Sequence, residues 1–168
     1  MTELKELVYQ IINSQKAMGI DMLASACKVS PKQVIEVLDN ELAKVVSKDC
    51  FDRVWDFLTK QDHMTFLTIV YGNVIEVKTK VVKGVRTHGY FNLFGKAPLN
   101  GHLKEDLITA IALISVPFMG KESHQIAFLN DEGNIMYSFY LGRENGQLIE
   151  SQVLEFKALK ESLPLCHA

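Results

Sequence analysis

The sequence is poor in the residues that build disulfide scaffolds, metal clusters and phosphate cradles. Its 168 residues hold three cysteines, Cys27, Cys50 and Cys166, an odd count without paired spacing. That pattern fits reduced thiols and argues against a disulfide framework or a zinc site. The five histidines, His63, His88, His102, His124 and His167, form no HxH, HxxxH or ExxH pair. No GxSxG, GxGxxG or GxxxxGK[ST] run occurs, so a hydrolase elbow and a phosphate loop lack support. A net charge of −2 speaks against a nucleic-acid coat, which needs a basic excess to neutralise phosphates. No apolar run reaches the roughly 18–20 residues that span a bilayer. The opening Met1–Glu6 is amphipathic and lacks an apolar signal core. Internal repeats and low-complexity segments are also missing. These absences predict a cytoplasmic protein with neither membrane nor nucleic acid as partner.

What remains is patterned. Residues 1–168 are expected to form a single domain, with a helical cap over 1–42 and a sheet with flanking helices over 43–168. Leu4, Leu7, Val8, Ile11 and Ile12 recur at helical spacing, and Gly19 reads as the stop. Asp21 can cap a second helix through Ala26. Ser30-Pro31-Lys32-Gln33 starts a third: Ser as cap, Pro in the first turn, Gln three residues on. Phe51, Val54, Trp55 and Leu58 mark one more helix by their i, i+3, i+4, i+7 spacing. Residues 64–71 then read as a strand, Gly72-Asn73 as a hairpin turn, and Val74–Val82 as an alternating strand with Ile75, Val77, Thr79 and Val81 on its packed side. Gly95–Asp106 reads as a loop. Ile108–Val116 reads as a central strand buried on both faces. Residues 124–130 and 135–142 form a hairpin closed by 131–134. A last helix over about 147–163 carries Ile149, Val153 and Phe156, and Pro164 blocks its continuation. The fold class is α+β: the cap, an antiparallel sheet of about six or more strands, in a meander, and a C-terminal helix packed on it.

Three short helices in the first 40 or so residues resemble a helix-turn-helix. The third offers Lys32 and Gln33 near its start and then Glu36 and Asp39, which repel phosphate. A cap packed on the sheet is the simpler reading. Asp52 and Asp56, four apart on a helix, read as a solvated acidic face. His63 and His124 lie near strand ends, where a surface or turn role is the default, and His167 lies in a tail.

The chemistry concentrates in Arg86–Lys96. Read as one strand, it turns Gly89, Phe91 and Leu93 one way and Arg86, His88, Tyr90, Asn92, Phe94 and Lys96 the other. A solvated sheet face is one reading of such a pattern. The other is a face that holds a ligand. On a strand, residues i and i+2 share a side, so the His88 ring can approach the Tyr90 hydroxyl. A phenolate oxygen suits ferric iron, and tyrosine is a recognised axial haem ligand. Phe94 offers an aromatic edge to a flat macrocycle, and Arg86 and Lys96 carry the charge that propionates need. Of the cofactors considered, haem suits this set best.

His88-Gly89-Tyr90-Phe91-Asn92-Leu93-Phe94-Gly95-Lys96, followed by Gly101-His102-Leu103-Lys104, resembles the signature of the HutX/ChuX haem-utilisation carriers of Gram-negative bacteria. The likeness extends through Phe51-Asp52-Arg53-Val54-Trp55-Asp56, Ile111-Ala112-Leu113-Ile114, Phe118-Met119-Gly120 and Leu141-Gly142-Arg143. It is strong over roughly residues 45–145, and the terminal helices match in layout. The resemblance implies a cytoplasmic, non-enzymatic carrier of ferric b-type haem. It also implies transfer to a haem-degrading partner enzyme and a homodimeric state. Carried over residue by residue, Tyr90 becomes the axial iron ligand, His88 its neighbour and His102 a further haem-binding histidine. Some members carry another histidine on the strand that corresponds to 64–71. This chain has none there, which disfavours a two-histidine mode and strengthens Tyr90. A haem-degrading enzyme and a haem-responsive helix-turn-helix regulator are the alternatives.

Overall fold

The structure, a computed structural model, describes residues 2–16 and 18–165; Cys166 and His167 lie outside the described residues. Three helices come first: α1 (Thr2–Asn13), α2 (Ile20–Cys27) and α3 (Pro31–Val37). β1 (Ala43–Ser47) and α4 (Phe51–Lys60) follow. The chain continues through β2 (Met64–Val70), β3 (Asn73–Thr79), β4 (Gly84–Thr87), β5 (Tyr90–Leu93) and β6 (Gly101–Leu103). It ends with β7 (Ala110–Ile114), β8 (Gln125–Leu129), β9 (Ile135–Leu141), β10 (Arg143–Glu144), β11 (Gln147–Leu148) and α5 (Glu150–Ser162). The fold is α+β, as expected. Its main sheet is antiparallel and runs β1-β7-β8-β9-β2-β3, and β4-β5-β6 form a second sheet of three strands.

Side-chain size along the central strands explains the layering. In β7 and β8 every residue is buried, and alternate residues face opposite layers. Ile111, Leu113, Ile126 and Phe128 enter one core with Phe51, Trp55, Leu58, Phe139 and Phe156. Ala110, Ala112 and Ala127 enter the other, where their small side chains let α1–α3 approach with Val8, Ile20, Leu23, Val34 and Ile35. Burying those aliphatic side chains stabilises each by about 1.5–3 kcal/mol relative to exposure, so the cap is held by its apolar stripes. The Ser30–Gln33 capping box forms as read from the sequence. Cys27 packs against the cap-side core and Cys50 lies in the opposite one, so the sheet stands between them.

Several elements depart from expectation. α1 ends at Asn13, and Gly19 is the N-cap of α2 instead of a stop for α1. β1 was not legible as a strand; it pairs with β7 and closes the sheet at one edge. The β2–β3 turn is Tyr71-Gly72, both at positive φ (49° and 80°), one residue earlier than the Gly72-Asn73 expectation. Two positive φ values are what a two-residue hairpin requires. Ile75 is 47% exposed instead of packed, because this hairpin projects past the core. The expected loop over Gly95–Asp106 contains β6. The last helix begins at Glu150, since β10–β11 takes up Gln147 and Leu148. The meander holds for β7-β8-β9, but β2 inserts beside β9 and β1 beside β7.

His124 is the clearest correction. It is buried, with Nδ1 2.9 Å from Ser115 Oγ, Nε2 2.8 Å from Glu122 Oε1, and its ring against Phe156. Burial outweighs the nearby Glu122 carboxylate and pushes the imidazole below its ordinary value of 6.5. The folded state therefore keeps His124 neutral while the unfolded chain protonates near its ordinary value. Stability from this site is present above that value and is lost as the pH falls through it toward the folded value. Urea midpoints should fall more in wild type than in His124→Gln between about pH 7.5 and about pH 5.5. Parallel losses in the two proteins would refute a neutral buried His124.

Candidate functional site

Residues 86–96 are a hairpin, not one strand. Thr87 pairs with Tyr90, Arg86 with Phe91 and Gly84 with Leu93, leaving His88-Gly89 as the turn at φ 54° and 76°. Glycine adopts such a conformation freely, and histidine is among the side chains enriched there. A two-residue turn reverses the phase of the pleat. Odd positions on β4 share a side with even positions on β5, because directly paired residues point the same way.

One side of the small sheet faces the core. Phe91 meets Phe51 edge-on at 5.0 Å and Trp55 at 4.9 Å between ring centroids. Gly84 is required here: a Cβ at that position would stand 2.0 Å from the Phe91 ring. Arg86 lies on this inner side, 5.3 Å from the Phe91 ring centroid and 5.6 Å from that of Phe51. Its guanidinium bonds both oxygens of Glu105 at 2.7 Å and Asp52 at 2.6 Å. Those carboxylates raise its already high pKa.

The outer side carries Val85, Thr87, Tyr90, Asn92 and His102, with Asn92 directly paired to His102. Phe94 extends the row through its ring contact with His102. Asn92 is buried, whereas Val85, Tyr90 and Phe94 are 54%, 42% and 58% exposed. The His102 ring stands between the other two rings, 5.8 Å from Tyr90 and 5.9 Å from Phe94, steeply inclined to each. Lys104 Nζ lies 4.9 Å from the Tyr90 ring centroid, 3.2 Å from the Gly89 carbonyl oxygen and 3.2 Å from Asp106. A phenol, an imidazole and an ammonium thus converge on one open apolar face.

The expected grouping is therefore corrected in three places. Arg86 is on the opposite side from Tyr90, because the turn shifts the phase. His88 lies off both sides, with Nδ1 2.9 Å from the Thr87 hydroxyl, so i, i+2 geometry does not bring it to Tyr90. Lys96 is exposed past the end of β5, and among the described residues no ion pair or hydrogen bond of its side chain ties it to this face. Tyr90, Phe94 and His102 are brought together. Sequence reasoning put Asn92 on the face of Tyr90 and Lys104 in the motif, but gave neither a role in the site. The signal for Asn92 was present, since asparagine is disfavoured within strands and here sits between Phe91 and Leu93.

Tyr90 also borders a groove of about 650 Å³ that runs under the hairpin past Phe51 and Arg86. Volumes of 300–1,000 Å³ are typical of small-molecule sites. Four carboxylates, those of Asp49, Asp52, Glu105 and Asp106, line it against the two cations Lys48 and Arg86. The groove is thus a poor host for an anionic ligand, and the outer face with Lys104 is the better one.

The family of this fold and face can now be given. Residues 44–159 match the family described as Haem utilisation ChuX/HutX, and the chain belongs to that family. It is 33% identical over 163 residues to the intracellular heme transport protein HutX of Vibrio cholerae serotype O1, covering 96% of this chain and 84% of that protein. A crystal structure from Erwinia carotovora superposes with a TM-score of 0.86 at 30% identity, covering 94% of this chain and 98% of that one. The structure of the heme binding protein ChuX gives a TM-score of 0.81 at 31% identity, covering 92% and 97%.

Proposed function

We propose that this protein is a carrier that binds ferric b-type haem on the outer face of β4-β5-β6, with Tyr90 as the axial ligand, and releases it to a haem-degrading enzyme. The single observation that carries this reading is an uncovered side of the small sheet on which Tyr90 and His102 stand between exposed Val85 and Phe94. That donor set suits the cargo: a hard oxygen for ferric iron, apolar edges for the macrocycle, and Lys104 for a propionate. The relatives named for heme transport and heme binding support the same cargo. Lys96 is a second candidate cation for a propionate, and His88 a turn residue that sets how Tyr90 is presented. Arg86, held by two carboxylates, is a weaker propionate partner than its charge suggests. A single oxygen ligand favours the oxidised cargo, and exchange to a stronger nitrogen donor on the acceptor completes transfer.

The regulator alternative loses support in the cap. α3 buries Pro31, Val34, Ile35 and Val37, and the Lys32 backbone N–H donates to the Gly133 carbonyl oxygen at 2.9 Å. The end of the helix that would enter a DNA groove is docked against the β8–β9 turn.

Homodimerisation fits the projecting β2–β3 hairpin. Ile69, Val70, Val74 and Ile75 are 36–59% exposed, and β3 is an edge strand of the main sheet. Exposed apolar groups on an open edge favour self-pairing about a two-fold axis.

Tyr90→Phe removes the ligand oxygen at nearly constant volume. The ferric haem spectrum should change and haem should be lost to an acceptor roughly tenfold faster, about 1.4 kcal/mol in barrier, with His88→Ala weaker in effect. An unchanged spectrum and off-rate would sink the ligand assignment. Given a reductant and oxygen, a carrier keeps or merely bleaches its haem; stoichiometric bilin with iron release would establish the enzyme instead. Val74→Glu with Ile75→Lys should raise the dimer dissociation constant at least about tenfold in sedimentation velocity, and an unshifted dimer would place the interface elsewhere.

A further inference from the structure

We propose that Asn92 is a positioning residue that holds His102 in its Nδ1–H tautomer, so that Nε2 is the bare nitrogen offered to the outer face. The inference rests on the haem reading only for what that nitrogen is offered to. Asn92 is 4% exposed. Its Nδ2 lies 3.0 Å from the Val85 carbonyl oxygen, 3.0 Å from that of Thr87 and 3.1 Å from that of Tyr90. Carbonyl oxygens only accept, so the group facing all three is the NH2, with its two hydrogens shared among three acceptors. The amide orientation follows from its partners, which leaves Oδ1 directed at His102 Nδ1.

An amide oxygen has no hydrogen to donate. His102 Nδ1 must therefore carry one, and in a neutral imidazole Nε2 then holds the lone pair. The opposite tautomer would set two lone pairs against each other at hydrogen-bond distance. Among the described residues Nε2 has no hydrogen-bond or ion-pair partner. Tyr90 and Phe94 flank the ring, so flipping it is opposed by contact on both sides. The Nδ1–H bond to an oxygen also strengthens Nε2 as a donor, as seen for histidines that face a metal. The same amide binds the carbonyls of Thr87 and Tyr90, which flank the His88-Gly89 turn. One buried side chain thus sets both the hairpin that presents Tyr90 and the nitrogen that His102 presents beside it.

The test begins with haem-free protein. Long-range proton–nitrogen correlation of the ¹⁵N-labelled imidazoles, at about pH 8 and so above the ordinary imidazole range, should show His102 protonated at Nδ1 and bare at Nε2. A wild-type ring protonated at Nε2 overturns the proposal whatever haem does. Asn92→Ala should lose the preference, and its retention there also overturns the proposal. The wild-type spectrum decides the matter even where Asn92→Ala fails to fold. In the haem complex, His102→Ala should speed haem loss by roughly tenfold and Asn92→Ala by at least as much, because it also frees the hairpin, with the double variant no faster than Asn92→Ala alone. Additive losses would show that Asn92 does not act through His102. The expected tautomer in a protein that binds no haem would refute the carrier reading and leave this inference standing.

Discussion

The edge-on contact of Phe91 with Phe51 and Trp55 is the interaction on which the site depends. It seats the small sheet on the main core by one aromatic ring inserted over Gly84. Trp55 adds a second tie, its indole N–H donating to the Val82 carbonyl oxygen at 3.0 Å. With the inner side anchored, the outer side is left to display the exposed rings of Tyr90 and Phe94. Exposed Tyr90 and Phe94 are tolerable because Phe91, Leu93 and Leu103 on the other side hold the sheet in place.

The arrangement separates stability from recognition. Large side chains on one face of β7 and β8 build the aromatic core, and alanines on the other admit the helical cap. The outer side of the small sheet shares no side chain with either core. Its one deeply buried member, Asn92, acts through hydrogen bonds alone, so its cost of burial is offset only where every polar atom has a partner. Here the amide nitrogen has three carbonyls and the oxygen has an imidazole. Such a residue ties the order of a surface site to the order of the backbone beneath it.

Electrostatics divide the two surfaces that Tyr90 touches. Under the hairpin, carboxylates outnumber cations, and Arg86 is already engaged. Above it, the Lys104 ammonium stands close to the phenol ring. Charge thus favours an anionic ligand on the upper face over the lower groove.

The amino-acid sequence by itself determined the elements whose signals are local. The capping box at Ser30, the stripe of Phe51, Val54, Trp55 and Leu58, and the apolar run of β7 each carry their own periodicity or stop. The motif around Tyr90 and His102 was legible as well, and with it the family. The sides of the hairpin were not. His88-Gly89 lacks the Asn-Gly form that usually announces a two-residue turn, and a period-two pattern runs unbroken across it. The tertiary structure alone decided that the pleat changes phase there, sending Arg86 inward and leaving Tyr90 outside. It also decided that His102, ten residues from Asn92 in sequence, lies directly opposite it. The physical reason is register: strand pairing is set by contacts between segments, and a single turn residue more or less exchanges the sides of the sheet. The burial of His124 has the same origin, since a strand end becomes interior only when α5 packs Phe156 against it.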